Sequence, residues 1–576
     1  MDHWIPRSWT VQHASAAKHQ ASQFGRERGA AAPRRQNQAT SGSLSAPRRT
    51  MWRSGGSSTA PCCIYPCWHR IDRPLLIRPL TSCSYVPFES GFSRLSVRPW
   101  AIGYLDLGRC KTLLLQNTKF HSSGVNAAPS KRSDFKFWLI VGSVSRRTML
   151  KWWQFYCALL HISVLASDRK TALDTPFNIM FLRAFREWTF NAFGRTGMEE
   201  KYLQAARNAN KMQKIIPDNV PFPCNVTGGR SSKVPESVHK LRPGDIDVIA
   251  ALGDSLSAGA GIFAGNLLQI LIENRGVTAA GGGQGTWRQY LTVPNIIKEF
   301  NPNLIGYALE DSLTTDKASQ LNVAETGAQS GDIVYMTDIL VKRIKNDPRI
   351  DLQKHWKFIS LMIGVNDFCT EMCWTPSPWS ILETHKTDLL QALRTLRDNL
   401  PRTFVALIPP PHLKALVETR EGRPSLNCFL TLDFECSCMF GLTFRRFRSM
   451  YYDIMRQWQK LDMEMATYPE FQRDDFTVVA QPILVNFSIP LASDGYTDMT
   501  YLSSDCFHIS QKTNALFANS LWNNLLEPVG AKSTRWSNNK FHCPTPEKPY
   551  LTTMLNSKQQ SVTETAAAIR TRNIGA

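Results

Sequence analysis

Four short apolar runs set the frame of the second half of the chain. Residues 246–252, 357–363, 403–408 and 476–480 are mostly β-branched or apolar and end at turn-forming residues. Runs of this length and character read as buried parallel strands. Between them the apolar positions recur at helical spacing instead. Leu389, Leu393, Leu396 and Leu400 form one stripe, closed by Pro401 and preceded by Ser380-Ile-Leu-Glu383, which has the form of a capping box. Phe444, Phe447, Tyr451, Ile454, Trp458, Leu461 and Met465 trace a second stripe. A third helix is expected at 511–526, stopping before Pro528. Shorter helices are expected at 266–273 and, within a mixed and polar lead-in, at 198–212. Both long stripes read as core. Strands alternating with helices predict an α/β domain with a parallel sheet covered on both faces. No internal repeat is visible.

The first run ends in Gly253-Asp254-Ser255, followed by small residues through Gly261. A serine at the carboxyl end of an inner strand sits on the edge where open α/β sheets place their chemistry, and glycine lets the backbone turn there without a Cβ clash. Alone, this triplet is ordinary turn chemistry. Three further blocks give it weight: Asn322-Val-Ala-Glu-Thr-Gly327-Ala, Phe358 to Asn366-Asp367, and Asp505-Cys-Phe-His508. In these four blocks and their order the chain resembles the SGNH (GDSL) hydrolase family. It is closer still to the repeat units of the membrane-associated phospholipase B group, from about Phe222 to Tyr550, including the stretches 234–243 and 292–302.

The resemblance implies a three-layer α/β/α SGNH-hydrolase (flavodoxin-like) domain with a central, mostly parallel sheet. It also implies a division of labour. Ser255 is the nucleophile, His508 the base that takes its proton, and Asp505 the carboxylate that orients the imidazole. The oxyanion donors are the backbone N–H groups of Ser255 and Gly327 and the side-chain amide of Asn366. The substrate is a fatty-acyl ester of a phospholipid or lysophospholipid, and no metal or cofactor is called for. Each residue has a plainer reading: Ser255 as a turn serine, Gly327 as a strand-end glycine, Asp505 as a helix cap. His355, His385, His412 and His542 compete with His508, but only His508 follows an aspartate at the family spacing. Asp254 and Asp367 are expected to be structural, bonding their own turns.

Charge changes the picture at the amino-terminal end. The formal charge is +20, yet residues 1–148 hold 22 of the 67 basic residues and only 6 of the 47 acidic ones. The remainder is close to balance. The first segment has no sustained period and no platform of stacking aromatics, so nucleic-acid binding is not expected. It reads as a disordered basic extension or a gene-model artefact. Residues 149–166 have the form of a secretory signal peptide, with Lys151 in a short basic region, an apolar run, and Val164-Leu-Ala166 as small-residue cleavage chemistry. His161 and Gln154 keep a core segment open as the other reading. Met149 is then the expected initiator, 167–244 a lead-in packing on the hydrolase domain at 245–530, and 531–576 a carboxyl-terminal tail.

Eight of the 14 cysteines lie beyond the signal-like run. An even set in a secreted enzyme predicts disulfides, with Cys224 and Cys543 as an expected pair tethering the lead-in. Cys369-x3-Cys373 with Cys436-x-Cys438 lacks zinc-ligand spacing. Sequons at Asn225 and Asn486 fit the same secretory route. Gly281–Gly285 has no following Gly-Lys-Ser/Thr, and Gly259-x-Gly261-x3-Gly265 misses the dinucleotide spacing, so neither nucleotide motif is present. The expectation is a secreted serine esterase, with association to a membrane surface left open. Its competitors are an esterase for short-chain or carbohydrate acyl esters and an inactive lipid-binding protein on the same fold.

Overall fold

Each of the four apolar runs becomes a strand in this computed structural model: β1 (Ile246–Gly253), β2 (Trp356–Met362), β3 (Thr403–Leu407) and β4 (Phe476–Ala480). They pair in parallel in the order β1-β2-β3-β4. The described residues are 176–422, 425–536 and 540–558. The readings of 1–148 as a basic extension and of 149–166 as a signal segment lie outside them.

Burial follows the pleat. Ile249, Phe358, Met362, Phe404, Ala406 and Val479 face one apolar cluster, and Val248, Ala250, Leu252, Ile359, Leu361, Val405 and Val478 face the other. Alternate residues of one strand therefore enter opposite cores, which is why these strands read as continuous apolar runs. Among the described residues the helices are α1 (Pro176–Phe193), α2 (Glu200–Asn208), α3 (Ser255–Ala258), α4 (Val293–Phe300), α5 (Asp332–Asn346), α6 (Ser380–Asn399), α7 (Lys414–Gly422), α8 (Leu426–Glu435), α9 (Ser437–Phe440), α10 (Arg448–Met465) and α11 (Gln511–Leu526). Helices α4, α10 and α11 fill the first core, α5 and α6 the second, giving three layers.

The far edge of β1 is closed by loop backbone. Val248 bridges Ile305 and Ala251 bridges Asn322, both in parallel sense, and Glu325 N donates to Gly253 O at 3.1 Å. The chain leaves β1 to one side and returns to β2 on the other, so the carboxyl end of β1 is a topological switch point, where open sheets form their ligand crevice.

Among the described residues four disulfides form: Cys224–Cys543, the expected tether, and Cys369–Cys436, Cys373–Cys438 and Cys428–Cys506. Residues 540–558 fold back on the domain. Leu551 N donates to Leu241 O, His239 Nδ1 pairs with Thr553 Oγ1 at 2.9 Å, and Trp522 Nε1 donates to His542 O at 2.7 Å.

Local expectations fail where side chains find other partners. No capping box forms at Ser380; Trp379 is the cap, and the Ser380 hydroxyl donates to Ser377 O at 2.7 Å. The helix expected at 266–273 is a 3-10 turn, Leu267–Leu271, entered through the Asn266 side chain. Phe444 and Phe447 precede α10 rather than belonging to it, and the helix expected at 198–212 shrinks to α2. Helix α1, in the stretch read as irregular lead-in, was missed.

Candidate active site

Ser255 opens α3 at the carboxyl end of β1. The turn there needs glycine: Gly253 has φ +151°, and a Cβ on it would lie 2.4 Å from the Met362 carbonyl oxygen and 2.5 Å from Ser257 Oγ. Asp254 caps α3 by accepting from Leu256 N at 3.0 Å. Its second oxygen is buried with no partner. Burial pushes the Asp254 carboxyl up to about 6, with the Leu256 N–H and the nearby His508 charge pulling the other way. The expected structural role of Asp254 thus holds, at an electrostatic cost.

His508 and Asp505 meet directly. Asp505 Oδ2 lies 2.5 Å from His508 Nδ1, while Oδ1 accepts from the backbone N–H groups of Phe507 and His508, each at 3.0 Å. Burial works to raise the Asp505 carboxyl, but His508 beside it and these N–H donors hold it below the usual carboxylate range. With Nδ1 engaged by the carboxylate, the ring presents Nε2, which is buried and has no partner.

The loop that carries His508 is tied to the segment following Ser255. Ser503 Oγ donates to Gly261 O and Ser504 Oγ to Ala264 O, each at 2.5 Å. Cys506 is held to α8 by its disulfide, and Thr431 Oγ1 donates to Asp505 O at 2.6 Å. Among the described residues no hydrogen bond joins Ser255 to His508. Such bonds are often long without substrate and tighten in the complex.

Gly327 and Asn366 follow the two segments that flank β1. Gly327 is exposed with φ +86°, and a Cβ there would meet nothing within 4 Å, so glycine serves the backbone conformation rather than a close contact. Asn366 donates one amide hydrogen to Ala328 O at 2.8 Å, leaving the second for another acceptor. Asp367, expected to bond its own turn, instead accepts from Ser330 N on the neighbouring loop.

Two groups of residues around these loops escaped sequence reasoning. Buried ions brace the approach to Gly327: Arg186 contacts Glu325 at 3.1 Å and Glu273 at 3.5 Å, and Arg183 reaches Glu325 at 2.5 Å. Arg275, fully buried, holds Glu273 at 2.8 Å and Asn322 Oδ1 at 3.1 Å. The signal was arginine within an apolar helix, α1. The second is Glu435 at the end of α8. It, Asp505 and His508 each bring a ligand-type atom within 4.8 Å of the others, a donor set of two carboxylates and an imidazole that suits a divalent cation. The His508 Nδ1 is already engaged by Asp505. Burial, and then the Asp505 charge, push the Glu435 carboxyl well above its ordinary range, which disfavours its charged form beside the pair.

Comparison with known proteins matches one stretch of the chain to a family model. Residues 249–521 match the GDSL-like lipase/acylhydrolase model. Membrane-associated phospholipase B1 from Homo sapiens is 37% identical over 370 residues, covering 62% of this chain and 25% of the relative. Its Rattus norvegicus counterpart is 35% identical over 376 residues, again 62% and 25%. The chain thus spans about a quarter of the length of these relatives. Among solved structures, phospholipase A1 from Streptomyces albidoflavus NA297 shares 14% identity over 48% of this chain and 98% of its own, at a TM-score of 0.26, a likeness too slight to argue from. Through residues 249–521 the chain carries a GDSL-like lipase/acylhydrolase domain.

Proposed function

We propose that this chain is a serine carboxylic ester hydrolase that releases fatty acids from glycerophospholipids and lysophospholipids. The observation that carries the reading is the Asp505–His508 pair, with an unengaged Nε2, on a loop bonded to the segment that follows Ser255. In this mechanism Ser255 Oγ attacks the ester carbonyl while His508 Nε2 takes its proton. Asp505 fixes the tautomer and stabilises the imidazolium that forms. The carbonyl oxygen becomes an oxyanion, received by the N–H groups of Ser255 and Gly327 and the free amide hydrogen of Asn366. Collapse expels the lysolipid or glycerol oxygen, which recovers the proton from His508. Water, deprotonated by the same imidazole, then releases the fatty acid from Ser255.

The substrate class is supported by the relatives, which are phospholipases by name, and by apolar side chains on the surface near the His508 loop. Leu426 and Leu430 on α8 are 70% and 60% exposed, and Trp374 beyond Asn366 is 65% exposed. Disulfides are compatible with an extracellular setting, and secretion followed by residence at a membrane surface belongs to the same proposal. No helix among the described residues is long and apolar enough to cross a membrane.

The test compares fatty-acid release from phosphatidylcholine and lysophosphatidylcholine with hydrolysis of short-chain and acetyl esters, using protein expressed from Met149. The proposal expects the long-chain lipids to be preferred in kcat/KM. Preference for acetyl or short-chain esters would replace the substrate class and leave the mechanism standing.

A further inference from the structure

Gly327 and Asn366 lie on separate segments, and the sheet ladder does not set one against the other. Side chains do. Asn366 Nδ2 donates to Ala328 O at 2.8 Å, Ser330 N donates to the two Asp367 oxygens at 3.0 and 3.1 Å, and Gln329 Nε2 donates to Thr370 Oγ1 at 3.2 Å. The turn after Gly327 and the turn after Asn366 are clasped along their whole length.

Beneath the clasp runs a buried chain from two other helices. Ser330 Oγ lies 2.7 Å from His385 Nδ1, and His385 Nε2 lies 2.6 Å from Asp462 Oδ1. His385 belongs to α6 and Asp462 to α10, and none of the three exposes more than 1% of its surface. The imidazole stacks on Trp458 with centroids 3.7 Å apart, and Trp458 meets the Phe368 ring edge-on at 5.0 Å. Phe368 is two residues past Asn366, so the platform touches both turns. The residue types are those of a catalytic triad, but no ester can reach Ser330. With Asp462 accepting from Nε2–H, Nδ1 is left to accept from the Ser330 hydroxyl, and each ring nitrogen is satisfied. A buried chain of this kind, with both ring nitrogens paired in a low dielectric, holds one geometry strongly.

We propose that Ser330, His385 and Asp462 are positioning residues that fix the register of the 327–330 turn against the 366–370 turn, and so the spacing of the two oxyanion donors. The inference rests on the reading of Gly327 and Asn366 given above. It matters for rate because a misplacement of about 1 Å at a reacting centre can cost on the order of 100-fold.

The test is a double-mutant cycle on a soluble p-nitrophenyl ester, using the wild type, Ser330→Ala, Asn366→Ala and the double variant. Ser330→Ala is expected to lower kcat by about 10- to 100-fold with KM changed by no more than about twofold. In the Asn366→Ala background that loss shrinks by about fivefold or more, since the amide to be positioned is gone. Asp462→Asn, close in shape, repeats the cycle should Ser330→Ala lose the native unfolding temperature. Wild-type kcat in Ser330→Ala beside a slow Asn366→Ala overturns the inference alone, as do losses that simply multiply. Wild-type turnover in Asn366→Ala overturns the oxyanion assignment, and the inference with it.

Discussion

Asp254 shows what the turn before Ser255 costs. One oxygen caps α3, the other has no partner, and burial raises the carboxyl to about 6 from its ordinary value of 3.8. The folded value exceeds the unfolded one, so the folded state holds the proton more tightly. The stability from the neutral form is complete below about pH 3.8 and is lost as pH rises through about 6, a change of about 3 kcal/mol. Asp254→Asn cannot ionise. Its stability relative to wild type, from urea unfolding across this range, is expected to rise from about pH 4 to about pH 6.5 and then level. Parallel curves for the two proteins would show that the carboxyl does not titrate there. Ser255, Gly327, Asn366, Asp505 and His508 could be named from sequence because short-range motifs carry them. His385 and Asp462 could not be assigned a partner from sequence. They interrupt the buried faces of α6 and α10, beside Leu389 and Trp458, and a polar residue on an apolar stripe is the one sign they left.

At the scale of elements, α8 combines an exposed apolar face with a covalent link to the His508 loop. Leu426, Phe429 and Leu430 are on the outside, while Cys428 is bonded to Cys506. Burying one leucine is worth about 1.5–3 kcal/mol. Leu430→Ser is therefore expected to slow fatty-acid release from phosphatidylcholine vesicles roughly tenfold while sparing a soluble p-nitrophenyl ester. Equal loss on both substrates, or on neither, would separate α8 from lipid contact. The strands were legible to within about a residue because buried parallel strands are continuous apolar runs bounded by turn chemistry. The closure of β1 by 305 and 322 was not, since single bridges made by loop backbone leave no periodic trace. The capping box at Ser380 misled because the same residues served a turn one step earlier.

Across the whole molecule, the lead-in and the hydrolase domain are joined by charge as well as by Cys224–Cys543. Arg183 and Arg186 of α1 meet Glu325 and Glu273, and Arg186 also donates to Thr326 O at 2.5 Å, next to Gly327. Removing one partner of a buried ion pair strands the other charge, at a cost of about 3–5 kcal/mol. Arg186→Ala is expected to lower the unfolding free energy by that amount and to lower kcat, because the approach to Gly327 loses its brace. A wild-type unfolding free energy would show that α1 is dispensable to the site.

The account stands on Ser255 being the activated nucleophile, and covalent labelling reads that out. A fluorophosphonate probe should modify the wild-type protein once, with the adduct on the Ser255 peptide by mass spectrometry, and should leave Ser255→Ala unlabelled. Labelling that persists in Ser255→Ala, or a folded wild-type protein that takes no probe, would contradict it.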